Sequence, residues 1–198
     1  MTRTKSTYLA LLAVLLSPMT ANAGVITIDF DGLEEAGNNL IALAGGTYSE
    51  DGFTISAGNL FYAQQGNGDY AGSAGVHARI TNGVIEMVLS AGGSVFGMSS
   101  IDLSILNPGG VSPDVTFVGE LFGGGTVMQT FSVNAFGFVT NTFSSAFSGL
   151  IALRWTQGTG ESNAHQFDNI VARVPEPGTL ALLGIGLAGM GLAKRKKV

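Results

Sequence analysis

Between Gly24 and Val174, apolar and polar residues alternate with a period of two and nowhere sustain the 3.6-residue period of a helix. Ile101, Leu103 and Ile105 fall on one side of an extended segment, with Asp102 and Ser104 on the other, which is the pattern of a half-buried strand. Val115–Leu121 and Thr126–Val133 are two more, joined through Phe122-Gly123-Gly124-Gly125. That connection predicts a hairpin, because glycine reaches the positive φ angles of tight turns. Further strands are predicted at Val25–Phe30, Phe53–Ala57, Asn59–Tyr62, Val84–Ser90, Leu150–Thr156 and Gln166–Ala172, with glycine, asparagine and proline between them. Trp155 shares its face with Ile151 and Leu153 and is assigned to the core, with Arg154 pointing the other way. Eight or nine short strands without intervening helices predict an all-β fold, an antiparallel β-sandwich, and that strand number points to a jelly roll.

The two ends break this pattern. Met1–Tyr8 carries Arg3 and Lys5, an apolar run follows from Leu9 to Leu16, and Ala21-Asn22-Ala23 closes the segment. A basic start, a short apolar stretch and an A-x-A site together predict a secretory signal peptide over residues 1–23, cleaved after Ala23. At the other end Pro175, Glu176 and Pro177 precede an apolar segment, Thr179–Ala193, and a basic stop of Lys194, Arg195, Lys196 and Lys197. At ~1.5 Å per residue that segment covers about 22 Å, and snorkelling lysines extend its reach toward a ~30 Å hydrocarbon core. A single C-terminal transmembrane helix is expected, with the basic cluster cytoplasmic and the body outside. Gly184-Ile-Gly186-Leu-Ala-Gly189 matches the spacing of a dinucleotide fingerprint, but it follows no strand and carries no such function.

Val-Pro-Glu-Pro, an apolar helix and a short basic tail in that order resemble the PEP-CTERM sorting signal of Gram-negative bacteria, over residues 174–198. The resemblance implies recognition of Pro175, Glu176 and Pro177 by an exosortase after export by the Sec machinery. It implies a transient inner-membrane anchor, followed by residence at the cell surface or in the exopolysaccharide matrix. Tyr48-Ser-Glu-Asp-Gly-Phe53 and Phe167-Asp-Asn-Ile170 also look like stretches of short PEP-CTERM proteins. The domain organisation expected is a signal peptide (1–23), a β-sandwich (24–173) and the sorting signal (174–198).

Setting the ends aside changes the electrostatics. The whole chain has a formal net charge of −5, but residues 24–173 hold 3 basic and 13 acidic residues, a charge of −10, with no lysine. Such a body repels nucleic acid and anionic lipid, so a nucleic-acid partner is excluded. With no cysteine in 198 residues, disulfide frameworks and thiolate chemistry are excluded too. Thirty glycines and only 12% charged residues further disfavour a helical bundle.

Candidate chemistry is sparse. His77 and His165 are far apart and lie in no metal-binding or hydrolase pattern, and no G-x-S-x-G elbow is present. Asp29 and Asp31 on an extended strand would point the same way, about 7 Å apart. Asp168, in the last strand, could join them if the first and last strands pair. These hard oxygen ligands suit calcium, and the arrangement resembles carbohydrate-binding jelly rolls with a structural calcium between first and last strands. The alternative is a solvated acidic strand edge. Phe61–Gly72 is rich in glycine, amides and tyrosine. Tyr62, Gln64, Asn67, Asp69 and Tyr70 are candidates for stacking on and hydrogen bonding to a glycan, and the alternative is an exposed loop.

The expected function is that of an exported, non-catalytic β-sandwich that adheres or binds exopolysaccharide. A secreted hydrolase acting on matrix polysaccharide would require two carboxylates in one cleft. A structural matrix protein would require no ligand.

Overall fold

Alternation becomes strand wherever one face can be buried, and thirteen strands result among the described residues. The computed structural model describes residues 23–79, 83–91, 95–158 and 164–175. The expected signal peptide up to Asn22, the motif residues Glu176 and Pro177, the apolar helix and the basic stop Lys194–Lys197 lie outside the described residues. In chain order the strands are β1 (Ala23–Ile28), β2 (Leu40–Ala42), β3 (Thr47–Glu50), β4 (Phe53–Ser56), β5 (Leu60–Ala63), β6 (Val76–Ala78) and β7 (Val84–Leu89). They continue with β8 (Gly97–Ile105), β9 (Asp114–Leu121), β10 (Thr126–Ser132), β11 (Val139–Thr142), β12 (Leu150–Thr156) and β13 (His165–Pro175).

Two antiparallel sheets form from them. The seven-stranded sheet runs β11-β8-β13-β6-β5-β2, with β1 also pairing β13, and the six-stranded sheet runs β10-β9-β12-β7-β4-β3. The chain passes repeatedly from one sheet to the other, so the architecture is a jelly-roll-like β-sandwich, and first and last strands do pair. Residues 25–174 make one compact unit.

The core follows the period of two. From β9 come Val115 and Phe117, from β12 Leu153 and Trp155, from β8 Ile101 and Leu103, and from β13 Phe167, all essentially sealed from solvent. Trp155 bridges the layers, its ring centroid 5.3 Å from Phe117 in its own sheet and 5.1 Å, edge-on, from Phe167 in the other. Edge-on aromatic pairs of this kind add about 0.5–1.5 kcal/mol beyond area burial.

The glycine connection Phe122–Gly125 makes the β9–β10 hairpin as expected, with Gly124 and Gly125 at φ 86° and 85°. Two expectations need correcting. Ile151 does not share the buried face of Trp155, because the β12–β9 register shifts between Leu150 and Ala152 and leaves Ile151 half-buried. Ser104 is not on a solvated face either. It is fully buried, donates to Ile105 O (2.8 Å) and accepts Gly137 N–H (3.0 Å), because the chain around residues 135–137 covers that part of β8. On the open flank of the sandwich Gln129 of β10 reaches across to the other sheet's edge. Its Nε2 donates to Thr142 O (3.0 Å) and its Oε1 accepts Ser144 N–H (2.9 Å).

Candidate functional site

The antiparallel register of β2 with β5 sets Leu40 opposite Ala63, so the segments beyond them, 34–39 and 64–70, run side by side. Backbone bonds continue the ladder there: Gln64 N–H to Asn39 O (3.0 Å), Gln65 N–H to Glu35 O (3.1 Å) and Gly66 N–H to Gly37 O (2.8 Å). The approach is close enough that a Cβ on Gly37, at φ 147°, would fall on the Gln64 amide.

All five residues expected to meet a glycan lie along this double loop, and the side chains of Tyr62, Gln64, Asn67 and Tyr70 are engaged within it. Tyr62 donates to Glu35 Oε1 (2.6 Å) and Tyr70 to Glu34 Oε1 (2.9 Å). Gln64 Oε1 accepts Asn39 N–H (2.8 Å), and Asn67 donates to Asn38 O (2.9 Å) while accepting Asp69 N–H (3.0 Å). Asp69 O accepts from Gln166 Nε2 of β13 (3.0 Å), which ties the loop to the sheet. Burial, and then the neighbouring glutamates, push the Tyr62 and Tyr70 phenols up to about 12. The Tyr62 hydrogen bond, in return, holds Glu35 below the ordinary carboxylate value.

The acidic trio is arranged differently from the sequence expectation. Strand β1 ends at Ile28, and Phe30 adopts a left-handed φ of 55°, so Asp29 and Asp31 do not occupy two positions of one strand face. Asp29 Oδ1 instead accepts Asp31 N–H (3.0 Å), and Asp31 opens a single helical turn through Leu33. Asp168 lies on β13 opposite Asp102 of β8, where Asn169 at φ 43° and a register shift form a bulge. Its side chain is fully buried, with Oδ1 accepting Asn169 N–H (2.7 Å) and Oδ2 without a hydrogen-bond partner among the described residues. Asn169 Nδ2 donates to Asp102 Oδ2 (3.1 Å).

Burial pushes the Asp168 carboxyl up to about 6, with the charges of Asp102 and Asp31 acting in the same direction and bonds from Ser73 and Asn169 opposing it. Asp102 is the residue that sequence reasoning missed, because its proximity to Asp168 exists only through the β8–β13 register. Among the described residues no three His, Cys, Asp or Glu side chains converge as a metal centre would require.

His77 lies in the middle of β6 and His165 opens β13, and both are buried. Burial holds them neutral, at about 4 and about 3 respectively. A cleft of about 90 Å³ lined by Leu103, Ser132, Val133, Asn134, Ala135, Val139 and Asn141 contains no titratable side chain.

The outer face of the six-stranded sheet is open. Arg154 of β12 stands at its middle, donating to Glu86 Oε1 of β7 (2.6 Å) and Glu120 Oε2 of β9 (2.7 Å). Hydroxyls flank this group in two sets. Thr116 meets Thr130 (2.8 Å), and Thr54 joins Ser49 (3.0 Å) and Ser90 (2.8 Å). Met128, 64% exposed, lies beside Val118 on the same face. No sequence signal short of the strand register gathers these residues.

Comparison with known proteins adds two findings. Residues 173–196 match the PEP-CTERM protein-sorting motif, so the chain carries the signal of a protein exported and processed at the cell envelope. No curated protein matches the chain. Among solved structures, a family 29 carbohydrate-binding module is similar at 14% identity and TM-score 0.38, covering 76% of this chain and 88% of the other. A variant of the module CBM29-2, studied for ligand recognition, shows 15% identity and TM-score 0.39, covering 76% and 91%. A further CBM29-2 variant, in complex with cellulohexaose, shows 13% and 0.38, covering 78% and 92%. Likeness of this degree assigns neither a family nor a ligand to the sandwich.

Proposed function

We propose that the chain is exported, anchored in transit by its C-terminal helix, trimmed by an exosortase, and then acts as a non-catalytic polysaccharide-binding sandwich at the cell surface or in the extracellular matrix. The sorting motif supports the export part. The binding part rests on one observation, the open outer face of the six-stranded sheet around Arg154. Six strands at ~4.8 Å spacing make a platform roughly 24 Å across, long enough for an extended polymer. Its hydroxyls can exchange partners with sugar hydroxyls, and exposed Met128 offers an apolar patch for a ring face.

Charge selects the polymer class. Arg154 is already paired with two glutamates, and the body carries −10, so an anionic polysaccharide is repelled and a neutral one is favoured. A hydrolase would need two carboxylates across a cleft. Here Asp168 is buried against Asp102, Glu34 and Glu35 are taken by tyrosines, and Glu86 and Glu120 hold Arg154.

The test is retention of the processed protein on neutral polysaccharides in an affinity gel. Thr130→Lys together with Met128→Glu, both on the open face, is expected to lower binding at least tenfold. Tyr62→Phe and Tyr70→Phe are expected to leave it unchanged. Loss with the tyrosine variants alone would place binding on the double loop instead.

A further inference from the structure

Every second residue of β10 is exposed, and Met128, Thr130 and Ser132 belong to that side. At about 6.8 Å per pair of strand residues they form a row down the outer face of the six-stranded sheet. The row ends at the cleft of about 90 Å³ on the open flank, because Ser132 also lines that cleft. Leu103 and Val133, both buried, give the cleft an apolar floor, and Val139 of β11, 52% exposed, pairs with Leu103 in register. Asn134 and Asn141 complete the lining.

The walls are in place before any ligand arrives. Val133 N–H donates to Pro113 O (2.9 Å), Ile105 N–H to Ala135 O (2.9 Å) and Gly137 N–H to Ser104 Oγ (3.0 Å), so the segment after β10 is pinned across β8. Among the described residues the Asn134 amide makes no hydrogen bond, and Asn141 uses only Nδ2, on Val139 O (2.8 Å). Ser132 donates to Asp114 Oδ1 (2.6 Å), and this carboxylate beside the rim repels anions. A space of this size holds on the order of six waters, so it admits one sugar residue and not a length of polymer.

We propose that the cleft is a subsite for a single neutral sugar residue carrying an N-acyl group. A side-chain amide matches an acylamino group in both directions, since each has a C=O to accept and an N–H to donate. The acyl methyl covers Leu103, Val133 and Val139 and removes apolar surface from water. A plain hexose can bond the amides but leaves that surface wet. A polymer laid along Met128, Thr130 and Ser132 would deliver its terminal residue here. For the polymer the inference rests on the polysaccharide reading above, whereas the cleft is tested with a monosaccharide.

The exported protein, labelled for methyl and amide NMR, is titrated with N-acetylglucosamine and separately with glucose. Saturable shifts of the Leu103, Val133 and Val139 methyls are expected with the first sugar, and affinity about tenfold weaker with the second. Asn134→Ala is expected to weaken N-acetylglucosamine binding about fivefold, the scale of one neutral hydrogen bond. Val139→Trp, which fills the cleft from an exposed position, is expected to abolish it.

Absence of saturable shifts at those methyls with N-acetylglucosamine overturns the subsite, whatever the polymer does. Equal affinity for the two sugars overturns the N-acyl assignment. If Val139→Trp fails to fold, Asn134→Ala decides, and an unchanged affinity in it overturns the assignment. Cleft shifts in a protein that no neutral polysaccharide gel retains support the subsite and remove the polymer reading. A protein retained by such a gel, with the cleft silent to N-acetylglucosamine, keeps the polymer reading and loses the subsite.

Discussion

Asp168 of β13 and Asp102 of β8 occupy directly opposed positions in the seven-stranded sheet, and only Asp102 keeps contact with solvent. Like charges placed opposite one another are unfavourable, and burial adds to the cost of ionising Asp168.

Asp168 has its carboxyl raised from 3.8 to about 6, so the folded protein holds that proton to higher pH than the unfolded chain does. Ionisation therefore costs stability progressively as pH rises from about 4 through 6, and the cost is complete above that window. Asp168→Asn is expected to stabilise the protein at pH 7.5 by about 1–2 kcal/mol, discounted for partial solvent screening. Denaturant titrations should show the gain shrinking to nothing by about pH 4, and a loss of stability at pH 7.5 would contradict it.

The buried imidazoles act in the opposite sense. His77 and His165 titrate at about 4 and about 3 in the folded protein against an ordinary 6.5, so their contribution is fully present above pH 6.5 and is lost as pH falls toward 4. Both His165 nitrogens lack partners among the described residues, so leucine there removes no hydrogen bond seen among them. His165→Leu is expected to keep its stability at pH 7 within about 1.5 kcal/mol and to lose less than the native protein on going to pH 5. Thermal melts at the two pH values check both parts.

Within the double loop, Tyr62 and Glu35 share the short hydrogen bond that depresses the carboxyl. Tyr62→Phe should let Glu35 titrate closer to its ordinary value, which an NMR pH titration of the side-chain carboxyl resonance reads directly. No movement would mean that the bond is not populated in solution.

Neighbouring positions of β12 should behave very differently. Trp155 is the hinge of the aromatic core, and Trp155→Ala is expected to cost about 3–5 kcal/mol. Arg154→Met, one residue earlier and solvent-facing, should change stability by less than about 1 kcal/mol, because exposed ion pairs contribute little. Comparable losses for the two variants would mean that the ion triad holds the sheet together.

These contrasts also show what was legible in the sequence. Alternation located β8, β9, β10 and β12 within a few residues, because each has a face rich in large apolar side chains. It missed β2, β3, β6 and β11, which have three or four residues each. Strands that short cannot display a period, and Thr47–Glu50 and Val139–Thr142 lie at sheet edges with mostly polar residues. The Asp29–Asp31 geometry was lost to the left-handed conformation of Phe30, an uncommon choice for a bulky residue. The tyrosines and amides of 62–70 are neighbours in the chain, but their glutamate and asparagine partners lie 25 or more residues earlier, a distance only β2–β5 pairing closes.

The bridge made by Gln129 bears on how copies of the protein meet one another. Without it, β10 and β11 would be two raw borders, each able to template growth by another polypeptide. One amide stitched from β10 to the backbone at Thr142 and Ser144 fastens those borders to each other and occupies groups that a stranger could otherwise recruit. At that flank two copies meet a closed seam in place of a pair of free strand edges.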